Sequence, residues 1–168
     1  METKADIASS LYYSGEVSVS VMRGSKLIKK IKQHNEGGEW LFKFFAECLV
    51  GRYSTSTDYR PKQLLLTNGA AAASTFIGFN QTPTYEAAND SGVGVTFHFT
   101  VPYAYLSGTS IDTLYLYCDE YANDAELINQ QNWSAKCELG DNAIVVSRET
   151  NIILIIDWTL HIKESGSN

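Results

Sequence analysis

Few residues in this chain have the type and spacing to do chemistry. Asp157 and His161 stand four apart in NIILIIDWTLHIK, a pairing that a metal ion or an acid–base couple could use. On an extended strand four residues span roughly 13 Å at about 3.3 Å each. The two therefore cannot share an ion or a proton, and both are expected as solvated residues on a strand that leaves the core. His98, flanked by Thr96 and Thr100, is expected at the surface or an interface, and His34 at the entry to a helix. Asp119, Glu120, Asp124 and Glu126 form an acidic cluster that lacks the fixed alternation and turn glycine of a calcium loop. Cys48, Cys118 and Cys137 are an odd number in apolar contexts without a CxxC pair. Burial raises a thiol's pKa and argues against a nucleophile.

No HExxH, GxSxG, phosphate-binding loop or dinucleotide glycine pattern occurs. The expectation is a non-enzymatic protein with no catalytic residue, no metal and no cofactor.

The elements that would carry these residues are mostly strands. EVSVSVM alternates Val17, Val19 and Val21 against serines, and Arg23-Gly24-Ser25 can turn the chain into KLIKKIKQ. That run is read as a strand with a bulge, completing a hairpin. One amphipathic helix follows. Asn35 is its expected cap, and Trp40, Leu41, Phe44, Phe45, Cys48 and Leu49 form a single apolar stripe. QLLLT, STFIGF, GVTFHFTV, TLYLYC, WSAKCEL, AIVVS and the long final run are expected strands, with a short helix within Glu120 to Gln130. In the final run Ile152, Leu154, Ile156, Trp158, Leu160 and Ile162 share one face. Ile153 and Ile155 on the other must be covered by the helix, a second sheet or a neighbouring subunit. Many short strands with regular turn signals predict a mainly β fold, an antiparallel β-sandwich (jelly-roll-like) with one amphipathic α-helix. The domain is expected over 16–164, with an N-terminal arm at 1–15 and a tail at 165–168. Its core is expected to hold Trp40, Phe44, Phe45, Phe97, Phe99, Ile156, Trp158 and Leu160.

No apolar run approaches the roughly 20 residues that span a bilayer, and no signal-peptide pattern opens the chain. No membrane association is expected. The sequons at Asn80 and Asn132 carry little weight without a secretory route. A net charge of −6 makes nucleic acid an unfavoured partner. Charge is nonetheless segregated. Arg23, Lys26, Lys29, Lys30 and Lys32 stand together without an acid, whereas 81–147 holds nine acids and one base. Lysines can simply guard an edge strand. Alternatively the basic hairpin of one copy meets the acidic face of the next, including Asp119, Glu120, Asp124 and Glu126, in a head-to-tail contact.

The sequence IKQHNEGGEWLFKFFAECL, then RPKQLLLTN, VTFHFTVPYAYLSGTSIDTLYLY and NIILIIDWTLHI, resembles small structural proteins encoded among the virion genes of tailed bacteriophages. The matching positions are His34, Asn35, Gly37, Trp40, Arg60, Pro61, Pro102, Leu106, Ile111 and Trp158, over about Glu16 to Lys163. The resemblance implies a β-sandwich with one helix, present in many copies in a virion after synthesis in the host bacterial cytoplasm. It further implies that the chain binds itself or other virion proteins. The competing expectation is a glycan-binding module using Tyr103, Tyr105, Tyr115, Tyr117 and Tyr121 as ring platforms. Alternation of Tyr115 and Tyr117 with Leu114, Leu116 and Cys118 favours packing for that pair.

Overall fold

The computed structural model describes residues 11–49, 61–75, 77–78, 81–89, 92–107, 110–118, 133–146 and 151–164. In chain order its elements are β1 (Leu11–Arg23), β2 (Lys26–His34), β3 (Glu36–Gly37), α1 (Glu39–Leu49), β4 (Gln63–Asn68), β5 (Ala71–Ala72) and β6 (Ile77–Gly78). There follow β7 (Thr84–Asn89), β8 (Gly92–Pro102), β9 (Ser110–Ile111), β10 (Thr113–Tyr117), β11 (Ala135–Glu138), β12 (Ile144–Val145) and β13 (Ile152–Glu164).

Valine, isoleucine and aromatic residues at every second position make the long strands. Their register stacks them in rungs. β1 and β13 pair antiparallel from Leu11↔Glu164 to Arg23↔Ile152, and β8 pairs with β13 on its other side. Val17–Trp158–Phe97, Val19–Ile156–Phe99 and Val21–Leu154–Val101 therefore form three apolar rungs, all buried. Ile31 extends the middle rung onto β2. With β7 beside β8, the first sheet has the order β2-β1-β13-β8-β7. A second antiparallel sheet, β3-β11-β10-β4-β5 with β6 beside β4, supplies the facing rungs. These are Leu64–Leu116–Ala135 and Leu66–Leu114–Cys137, each fully buried. The inner faces of both sheets join in one core. Burying each large aliphatic or aromatic contributes roughly 2 kcal/mol.

The antiparallel sandwich expected from the punctuated strands is present, and Phe97, Phe99, Ile156, Trp158 and Leu160 lie in its core. Local hairpins and the β1–β13 pairing generate this strand order, which does not establish a jelly roll. β1 begins at Leu11, five residues before the expected start.

The helix differs from expectation at its start. Asn35 is not its cap: the Asn35 amide donates to the Gly15 carbonyl at 3.1 Å. Glu36–Gly37 then joins β11 as a short strand and carries the chain from one sheet to the other. The Gly38 amide donates to the Ser134 carbonyl at 2.8 Å, and the helix runs Glu39–Leu49. A two-residue strand has no periodicity to detect, so the crossover reads from sequence as the first helical turn. Leu41 is buried and Phe44 and Phe45 are half-buried. The Trp40, Cys48 and Leu49 side chains and Arg60 lie outside the described residues, as does the helix expected within Glu120 to Gln130.

Candidate functional site

The β1–β2 hairpin is built as its sequence suggests. Gly24 takes φ +57° at the turn, where a glycine costs no side-chain strain. The register then slips, pairing Met22 with Leu27 but Val21 with Lys29. The extra residue is Ile28, a bulge that twists the hairpin tip. Among the described residues β2 ends its sheet and its outer edge has no strand partner. Arg23, Lys26, Lys29, Lys30 and Lys32 are all exposed. Lys32 pairs with Glu16 at 2.9 Å, an exposed contact worth under about 1 kcal/mol. Lys29 Nζ donates to the Asn142 carbonyl at 3.2 Å, and Gln33 Nε2 to that of Leu139 at 3.3 Å. These two bonds fasten β2 to the loop after β11, leaving Arg23, Lys26 and Lys30 to define the field at the tip. Between them Leu27 and Ile28 are 50% and 46% exposed. The acids Asp119, Glu120, Asp124 and Glu126, the expected counterpart, lie outside the described residues.

The outer face of the first sheet carries a polar relay. Asp157 Oδ1 accepts from His98 Nδ1 at 2.7 Å, and His98 Nε2 lies 2.9 Å from Thr84 Oγ1. A carboxylate can only accept, so Nδ1 carries the proton, and in the neutral ring Nε2 accepts from the threonine hydroxyl. Beside it Thr96 and Thr159 share a 2.8 Å hydroxyl contact. Together these bonds tie the edge strand β7 to β8 and β13. A histidine between a carboxylate and a hydroxyl is also the arrangement that activates a nucleophile, here spread over three strands of an open sheet. Spacing within one strand could test Asp157 only against His161. Its partner is the residue opposite it in the register, which a sequence does not print. Of the two residues expected to need cover, Ile153 is half-buried within the single chain and Ile155 is 40% exposed.

At the diagonally opposite corner of this sheet, α1 and the edge strands flank an open apolar groove of about 200 Å³. Leu41, Phe44 and Phe45 wall it on the helix side, with Tyr85, Val93 and Ile162 on the sheet side. Tyr85 and Val93 are 69% and 37% exposed.

The remaining candidates are cysteines and tyrosines. Cys118 and Cys137 are buried, and burial, with Glu138 beside it, pushes the Cys137 thiol up to about 12. Among the described residues no group of three or more His, Cys, Asp or Glu could hold a metal ion, and no helix is long and apolar enough to cross a membrane. Tyr117 is buried and Tyr115 half-buried against Trp133, 6.2 Å between centroids. The Tyr115 and Tyr117 rings are tilted by 41°, so they do not make a coplanar sugar platform. Tyr103 packs on the core and Tyr105 is exposed. Tyr121, Asn80 and Asn132 lie outside the described residues. Comparison with protein-family models, curated proteins and solved structures finds no match to this chain.

Proposed function

We propose that this chain is a non-enzymatic structural protein of a tailed-bacteriophage virion, present in many copies and binding itself or neighbouring virion proteins through its sandwich edges. The resemblance in feature order supplies the virion setting, with synthesis in the host bacterial cytoplasm before assembly. The observation that carries the assembly role is the terminal strand β2. Among the described residues its outer edge is unpaired in the sheet, its tip is basic, and two large aliphatics stand exposed on it. Five of the chain's 13 bases and none of its 19 acids fall between Arg23 and Lys32, so another copy offers this run an acidic partner.

Light scattering of the purified 18.6 kDa chain at low and high salt tests the assembly role. The expected result is a mass above the monomer that falls as salt rises, and falls equally with Lys26→Glu plus Lys30→Glu. A monomer under every condition would remove self-association. Mass spectrometry of purified phage particles containing the chain in multiple copies tests the location.

A further inference from the structure

The hairpin tip and the apolar groove stand at opposite corners of the same sheet. The tip lies on the β2 edge beside Ile152, at the start of β13. The groove lies at the β7–β8 edge beside Ile162 and Val93, which pair near the end of β13. Ten residues along a strand and four strand spacings across the sheet put them roughly 33 Å and 19 Å apart in the two directions. The tip of one molecule therefore cannot reach its own groove.

From this we infer that the groove receives Leu27 and Ile28 from the hairpin tip of a second copy, a head-to-tail contact that repeats from molecule to molecule. The inference rests on the self-assembly proposed above and gives it a specific surface. Three observations favour a second copy as occupant. The tip exposes two adjacent large aliphatics on a bulge, and the groove is lined by apolar residues. Arg23, Lys26 and Lys30 around the tip oppose a two-fold pairing of tip with tip, because like charges would face one another. Outside the basic run from Arg23 to Lys32 the chain carries 8 bases against all 19 acids, so a second copy presents the tip with a net-acidic molecule. A knob and a recess on different parts of one surface make a heterologous contact, which closes into a ring or extends into a filament.

The test uses two doubly substituted full-length chains. Leu27→Ser with Ile28→Ser removes the knob, and Tyr85→Ser with Val93→Ser removes the outer lip of the groove. All four side chains are substantially exposed, so both chains are expected to fold, which circular dichroism checks. Each variant alone should associate at least about ten-fold more weakly than wild type. Mixed in equal amounts they should form a dimer and stop there. The mixture supplies one intact knob and one intact groove, with no site left for a third copy. Sedimentation velocity reads all three masses.

If the groove variant assembles like wild type while the knob variant does not, the tip binds elsewhere and the inference is overturned. If neither variant changes the mass while Lys30→Glu does, the groove contact is wrong and charge-driven assembly stands. Wild type that is monomeric at every concentration and salt would overturn both.

Discussion

Asp157 on β13 and His98 on β8 are register partners, and their side chains meet at 2.7 Å on the outer face of the sheet. Both are partly open to solvent, Asp157 about half exposed, so water competes for the pair. A double-mutant cycle of Asp157→Ala and His98→Ala, measured by urea denaturation, should give a coupling below about 1 kcal/mol. A coupling above about 2 kcal/mol would mean that another surface covers this face in solution.

Ile155 and Ile156 are chain neighbours that point to opposite sides of that sheet. Ile156 is fully buried in a rung between Val19 and Phe99, whereas Ile155 is 40% exposed. Ile156→Ala should destabilise by about 2–5 kcal/mol through lost contacts and the cavity left behind. Ile155→Ala should cost under about 1 kcal/mol. Similar costs at both positions would show that Ile155 is covered in the protein's working state.

The alternation behind that contrast was legible in the sequence. Val17 to Val21, Val95 to Val101 and Ile152 to Ile162 each declare a buried face, because a period of two survives any choice of neighbours. The bulge expected in β2 is present, but it puts Leu27 and Ile31 on opposite faces: Leu27 pairs with Met22 and is 50% exposed, and Ile31 pairs with Val19 and is buried. What the sequence withholds is pairing. His98 and Asp157 stand 59 positions apart, and only the register of β8 on β13 unites them. Short strands fail for a related reason. Glu36–Gly37 and Ala71–Ala72 are held by hydrogen bonds to longer neighbours, and Ser110–Ile111 by the equally short Ile144–Val145, rather than by any pattern of their own. The basic half of the candidate surface could be read from charge alone. The groove could not, because its walls come from α1, β7, β8 and β13.

Gly38 shows how tightly the crossover into α1 is packed. A Cβ built there would collide with the Trp133 carbonyl and indole ring. Gly38→Ala should therefore destabilise by about 1–3 kcal/mol, and alanine, a poor residue immediately before a helix, offers no compensation. Gly78 in β6 has open space around the same atom, and Gly78→Ala should be neutral within about 0.5 kcal/mol. Thermal denaturation of the two variants side by side separates a steric requirement from a general cost of replacing glycine.

Cys137 links the core to an alkaline weakness. Burial, with Glu138 adjoining, raises its thiol from an ordinary 9.0 to about 12. Between those values the unfolded chain has released the proton and the folded chain still holds it. The unfolded state then binds fewer protons, and stability falls as pH rises, by about 1.4 kcal/mol per pH unit for this group. Its contribution is fully present below pH 9.0 and is lost on the way to about 12. Burial raises Tyr13 and Tyr117 from 10.0 in the same direction, so the loss should steepen above pH 10. Urea denaturation of wild type and Cys137→Ala at pH 7, 9 and 10 isolates the thiol, because the tyrosines are common to both chains. The variant is expected to start less stable, from its small cavity, yet to lose less between pH 9 and 10. Parallel losses in the two chains would show that the Cys137 thiol ionises as readily folded as unfolded, and that the second sheet admits water at its centre.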